Sequence, residues 1–261
     1  MSATRRPPSG TYAGGLAGLA EDPALGIVGA AGLHLHEDWL AYATGGTTRF
    51  GEVGWTRTNI GSAPSVVLNT PTAVTEVGVV RMGTHTQANR GGTLHTNGIT
   101  QLYTPPVGLL WAVKLDLSGT ADLEVWSGFS GSTSGRVRVA DSTQFIGVRY
   151  LASVGTWQGV VKNGSTAANE STVDLGAHTP GTYVTLALEV VDTDGAGTPG
   201  VQFMTLDGSD PRKLGRTLIG APLTANIPQT TGALALGIVN TGAGVKYAYQ
   251  DFWTLGGRVA R

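Results

Sequence analysis

From Leu33 onward, apolar and polar residues alternate in short runs broken by turn residues. Residues 182–190 put Thr182, Val184, Leu186, Leu188 and Val190 on one face and Tyr183, Thr185, Ala187 and Glu189 on the other. That period of two is the signature of a strand in a sheet with one buried and one semi-polar face. Residues 245–252 repeat it, with Val245, Tyr247 and Tyr249 on one face and Lys246 and Gln250 opposite. About fifteen such segments follow one another at a spacing of roughly 8 to 14 residues, as in an all-β sandwich or barrel. Asn97-Gly98, Asn163-Gly164, Asp194-Gly195 and Asp207-Gly208 supply residues tolerant of positive φ where the chain must reverse.

Composition agrees and narrows the choice. Of 261 residues 40 are Gly and 12 are Pro, and the longest stretch free of both, Thr182 to Asp194, is already read as a strand. Helical bundles and βαβ repeats are thereby excluded. Hydrophobic content of 41% with six Trp argues for a packed core rather than disorder. Charged residues are only 13% and the net charge is −1, which gives no electrostatic case for nucleic acid or an anionic membrane. With no Cys there is neither a disulfide framework nor a thiolate site. No run of 18 apolar residues offers a bilayer span.

Residues 1–33 differ from the rest, being rich in Gly and Ala with scattered Leu and Ile. They read as an N-terminal arm preceding a β-sandwich domain at 34–261. Leu16, Leu19, Leu25, Ile27 and Val28 have too few apolar neighbours in the arm itself to be buried locally, so a partner surface is the expected binding site for them.

The order of the later segments resembles the concanavalin A-like, laminin-G-like jelly roll. A strand of the type LLWAVKLDL is followed by FIGVRYLA, the Trp-bearing TWQGVVKNG, then GTYVTLALEVV with its hairpin partner GVQFMTLDG. Ile227-Pro228 precedes GALALGIVN, and VKYAYQDFWTLGG closes the series. The resemblance implies a two-sheet antiparallel sandwich in which the last strand returns to pair near the first, HEDWLAYA and GWTRT being the early candidates. With Glu37-Asp38-Trp39-Leu40 after a short arm, the order is also similar to phage virion proteins carrying a lectin-like jelly roll.

Catalytic chemistry is sparse. Glucanases of this fold carry Glu-x-Asp-x-x-Glu on one strand, since alternate residues project into one cleft. No Glu-x-Asp occurs here, and Asp116, Glu124, Glu189 and Asp251 stand singly on their segments. Gly-x-Ser-x-Gly and phosphate-loop motifs are absent too. His34 and His36 share a strand face, and with His85 or His95 could hold a divalent ion; a polar strand start is the simpler reading. Asp192-Thr193-Asp194-Gly195 resembles the start of a calcium loop but lacks its later ligands, so a hairpin turn is expected. Arg136 and Arg138 alternate on GRVRVA, where charges commonly guard an edge strand. Among the tryptophans, Trp126 and Trp157 have polar neighbours and are the candidates for stacking on a glycan, while Trp111 and Trp253 belong to the core.

These features lead to an expectation of a non-enzymatic virion structural protein. It would be displayed on a phage particle as a capsid decoration, minor capsid or tail protein, and anchored by its arm to other virion proteins. It would form a homo-oligomer, a trimer being one option, and use no cofactor, although a structural calcium ion with no assignable ligands fits the resemblance. The alternative is a glycan-binding module that reads a host surface, and the third reading is a divergent glycoside hydrolase.

Overall fold

The structure, a computed structural model, describes residues 32–37, 49–50, 55–61, 79–96, 102–103, 107–131, 138–207, 215–228, 230–231 and 233–258. The arm residues Leu16, Leu19, Leu25, Ile27 and Val28 lie outside them, as do the Asn97-Gly98 turn, Arg136 and the side chains of His34, His36 and Trp253.

The strands in chain order are β1 (Gly32–Glu37), β2 (Arg49–Phe50), β3 (Trp55–Ile60), β4 (Val80–Gly83), β5 (Arg90–His95), β6 (Leu102–Tyr103), β7 (Leu110–Leu117), β8 (Leu123–Ser130) and β9 (Gln144–Leu151). They continue with β10 (Thr156–Asn163), β11 (Glu170–Ala177), β12 (Val184–Asp192), β13 (Pro199–Asp207), β14 (Gly215–Leu223), β15 (Thr230–Thr231), β16 (Ala233–Asn240) and β17 (Tyr247–Arg258). A single 3₁₀ turn, Ala167–Asn169, is the only helical element among the described residues. One sheet has seven strands in the order β1-β17-β7-β12-β13-β14, with β4 also paired to β17; the other has eight, β11-β10-β9-β8-β16-β5-β3-β2. A small β15-β6 ladder stands apart. Every pairing is antiparallel. The expected two-sheet sandwich is the observed architecture.

Alternation places the core between the sheets. Trp111, Val113, Leu115 and Leu117 of β7, with Leu186, Leu188 and Val190 of β12, meet Val125, Phe129, Ile146, Val148, Leu236 and Ile238 of the eight-stranded sheet. Trp55, Trp111 and Trp157 are in the same cluster. Each fully buried Trp withdraws on the order of 150–250 Å² from water, about 4–6 kcal/mol before entropy is counted.

Four details of the sequence reading need correction. The last strand does pair near the chain start, but its early partners are β1 and β4, whereas GWTRT, within β3, pairs with β2 and β5 in the other sheet. In β17 it is Ala248 and Gln250 that are fully buried, while Tyr247 and Tyr249 face outward. Arg138 is not on a strand; it opens a turn in which its carbonyl accepts from the N–H groups of Asp141 and Ser142. Trp126 and Trp157 present no ring to solvent, at 0% and 1% exposure. The sequence cue of polar neighbours failed for a common reason: in a strand, neighbours point to the opposite face and say nothing of the ring's own surroundings.

Trp126 lies flat over β16, and a Cβ added to Gly237 would stand 2.1 Å from its ring atoms. Gly237→Ala must therefore displace a fully buried indole. Overpacking of this kind costs on the order of 1–3 kcal/mol, read as a lower urea midpoint at unchanged slope; a wild-type midpoint would contradict the packing.

Candidate functional site

Alternation sends Trp111, Val113, Leu115 and Leu117 of β7 into the inter-sheet core and turns Lys114 and Asp116 to the other face of the seven-stranded sheet, where Lys114 alone of the strand is not buried. β17 runs alongside, with Tyr249 opposite Asp116 and Phe252 opposite Lys114, so Asp251 is the extra residue of a bulge. The bulge shifts the inward set of β17 from even to odd positions, since Ala248 and Gln250 are buried before it and Leu255 after it. On the other flank the chain enters β12 through Pro180, Gly181 and Tyr183. Between these elements lies an open cleft of about 760 Å³ lined by Lys114, Asp116, Tyr183, Tyr249 and Asp251, with Val79, Ser118 and Pro180 also on its walls. Its size suits a small or chain-like ligand.

Asp116 is nearly buried and tightly oriented. Its Oδ1 accepts from the backbone N–H of Leu117 at 2.7 Å and of Gly181 at 3.0 Å, and His178 Nε2 lies 3.0 Å away. Leu117 N is also 3.1 Å from that ring nitrogen. Because an ionised carboxylate oxygen only accepts, its 3.0 Å contact with Nε2 assigns the proton to that nitrogen, which donates to Asp116 and leaves the Leu117 N–H to Asp116 as well. The imidazole is fixed in turn by edge contacts with Tyr150 and Trp157, at 6.3 and 6.0 Å between ring centroids. The other carboxylate oxygen of Asp116 makes no hydrogen bond among the described residues.

Lys114 Nζ pairs with Asp251 Oδ2 and stands 5.1 Å from the centroid of the Tyr183 ring. Both charged side chains are about a third exposed, so the pair contributes little net stability. Two carboxylates face one ammonium, which disfavours an anionic ligand. Free acceptor capacity beside half-buried tyrosine rings suits a neutral, hydroxyl-rich one.

The outer face of the eight-stranded sheet is built differently. Glu124 points outward from β8, but Trp126 occupies the position two residues on, where an alternating second carboxylate would stand. Arg138 donates to Glu124 Oε2 through Nε at 2.7 Å and through Nη2. Val139 then packs with Trp126, Phe145, Val160 and Val239, while Lys162 Nζ donates to the carbonyls of Val139 and Ala140 at 2.8 and 2.7 Å. Beside it, Arg149 bridges Gln158 and Glu170. Glu124 Oε1 is left buried without a partner. Burial, only partly offset by Arg138, raises the Glu124 carboxyl above its ordinary 4.5.

None of the four acidic residues is solitary. Asp116 has His178, Glu124 has Arg138, Asp251 has Lys114, and Glu189 lies 3.6 Å from Arg216. Asp116 and Asp251 share one cleft, from different strands. The sequence did contain the alternating Lys114-x-Asp116 and Tyr247-x-Tyr249 pairs, but β7–β17 adjacency is a long-range pairing that no local pattern specifies. His178 and the Tyr183 ring were missed for the same reason.

The Asp192–Thr198 segment is the expected hairpin turn. Asp192 Oδ1 accepts from the N–H groups of Asp194 and Gly195 and its Oδ2 from Gly197; Asp194 Oδ1 accepts from Ala196 and Thr198, and its Oδ2 from the Thr198 hydroxyl. The loop's own donors occupy the oxygens an ion would need. Among the described residues no group of three or more His, Cys, Asp or Glu is placed to hold a metal.

Comparison with solved structures places the architecture. A prokaryotic β-1,3-1,4-glucanase (lichenase) from a mouse hindgut metagenome superposes with a TM-score of 0.55 at 14% identity, over 87% of this chain and 99% of that one. The fold is the concanavalin A-like jelly roll. The Bacillus licheniformis β-glucanase gives 0.52 at 16% identity over 88% and 100% of the two chains. A Mycobacterium tuberculosis immunostimulatory antigen described as a pseudo β-1,3-glucanase gives 0.53 at 13% over 86% and 98%. No family model matches the chain, and no curated protein does. These neighbours, two glucanases and one pseudo-glucanase, overturn the expectation of a non-enzymatic virion structural protein: none of them is described as part of a phage particle.

Two titrations check the electrostatics. Hydrogen bonds from Thr198 and Ala196 lower the Asp194 carboxyl from 3.8 to about 2; its stabilising effect is present above 3.8 and lost as pH falls through about 2, and a carboxyl chemical-shift titration at or above 3.8 would contradict the loop geometry. Glu124 has the opposite sign. Its raised folded-state value makes wild type lose stability relative to Glu124→Gln as pH rises from 4.5 through that value. Denaturant unfolding of both proteins across this range reads the difference, and a flat or rising difference would contradict the buried, under-partnered carboxyl.

Proposed function

We propose that the protein binds carbohydrate, taking a segment of neutral glucan into the cleft between β7, β12 and β17. The observation that carries this reading is the pairing, in one cleft, of the half-buried Tyr183 and Tyr249 rings with an Asp116 oxygen free to accept from a ligand hydroxyl. Pyranose C–H faces pack on aromatic rings, and equatorial hydroxyls find acceptors in the carboxylates and a donor in Lys114. The fold is that of enzymes named for β-1,3-1,4-glucan, which makes that polymer the first ligand to try. The stacking role moves from the buried Trp126 and Trp157 to tyrosines.

A second reading, cleavage of the bound chain, is favoured by Asp116 and Asp251 facing the same cleft, because glycoside hydrolysis uses two carboxyl groups.

Titration of the protein with soluble β-1,3-1,4-glucan, followed by calorimetry, tests the binding. Tyr183→Ala weakens it about tenfold, Asp116→Asn weakens it too, and a sulfated polysaccharide does not bind. Glucan affinity indifferent to both substitutions, or absent in wild type, would remove the cleft as the site. Release of reducing ends by wild type but not by Asp116→Asn or Asp251→Asn would add cleavage to binding.

A further inference from the structure

We infer that the cleft is one end of a longer track, continued across β17 and β4 by a platform of Tyr247 and Arg81, so that the ligand is an extended chain lying across the strands. The inference rests on the cleft being a carbohydrate site. Tyr247 and Tyr249 alternate on the outer face of β17, and their rings are 6.4 Å apart at a 40° tilt. Tyr249 lines the cleft; Tyr247 lies beyond it, tied to the cleft wall because its N–H donates to Ser118 Oγ at 2.9 Å and its carbonyl accepts from Ser118 N at 2.9 Å.

The platform is assembled by register. β4 pairs Gly83 with Tyr247 and Arg81 with Tyr249. Gly83 leaves room for the ring: an added Cβ would stand 3.0 Å from Tyr247 Cε1. From the same face of β4 the Arg81 guanidinium reaches to 5.0 Å from the Tyr247 centroid. Arg81 has no acidic partner within salt-bridge distance among the described residues, and both side chains remain half-buried rather than covered. A stacked guanidinium keeps its N–H donors in the plane at the ring edge, where they can meet sugar hydroxyls while the ring takes a pyranose face. A structural ring–cation contact alone would not require continuity with the cleft, yet Ser118 and Tyr249 connect the two without an intervening element.

The experiment compares a β-1,3-1,4-linked trisaccharide with a longer oligosaccharide of the same linkage by calorimetry on the full chain. Wild type binds the longer ligand more tightly. Tyr247→Ala and Arg81→Ala each lower its affinity roughly tenfold while leaving the trisaccharide within about twofold, and Tyr247→Phe retains the wild-type value; Tyr183→Ala weakens both ligands. Unfolding midpoints of the variants separate lost binding from lost fold. A wild type that gains nothing from chain length, or a Tyr247→Ala protein with the wild-type preference for the longer chain, overturns the track while leaving the cleft in place. Failure of wild type to bind either oligosaccharide overturns both.

Discussion

Burial of Trp111, Val113, Leu115 and Leu117 between the two sheets is the contact on which the rest depends. It fixes the rotation of β7 about its own axis, and with period-two geometry that rotation leaves Lys114 and Asp116 no direction but outward. The neighbours follow the same rule. β12 buries Leu186, Leu188 and Val190 and so brings the chain before it, with Tyr183, to the rim. β17 obeys it twice, changing phase at Asp251, so that one strand supplies Tyr247 and Tyr249 to the outside and Leu255 to the core. A slip of one residue in any of these registers would exchange core and cleft.

The two outer faces of the sandwich handle charge in opposite ways. On the eight-stranded sheet Glu124 is nearly out of solvent and closed over by Arg138, Val139 and the bonds of Lys162 to the neighbouring carbonyls. There the carboxyl is held by low-dielectric packing and tends toward its neutral form. On the seven-stranded sheet Lys114 and Asp251 stay about a third exposed, and the buried Asp116 is positioned by three donors on one oxygen while the other has no partner among the described residues. Fixed orientation with spare hydrogen-bonding capacity is what a binding site requires, and on the other sheet the unpartnered Glu124 oxygen is buried out of a ligand's reach.

Much of the architecture could be read from alternation and turn residues. The expected strand is present from Val184 and forms its hairpin with residues 199–206, although Thr182 and Tyr183 lie before it, and the turns at Gly164 and Gly195 are both at positive φ. The faces of β17 could not be assigned, because a tyrosine-bearing face and a face of Ala248 and Gln250 are nearly equal in hydrophobicity. Only the fit against β7 chooses between them. The same limit hid the cleft: its residues come from Val79 and segments 114–118, 180–183 and 249–251, and the energy that joins them belongs to the whole core. Isolated aromatics were the weakest sequence cue. Trp126 and Trp157 proved to be packing, whereas the half-buried aromatics at the cleft and beside it are Tyr183, Tyr247 and Tyr249.

The most direct measurement of the central claim is the location of a bound glucan oligosaccharide by amide chemical-shift mapping. The account predicts perturbations concentrated at Leu117, Gly181, Tyr183 and Tyr249 on the outer face of the seven-stranded sheet. Perturbations gathered instead at Glu124, Trp126 and Arg149 on the eight-stranded sheet would contradict it.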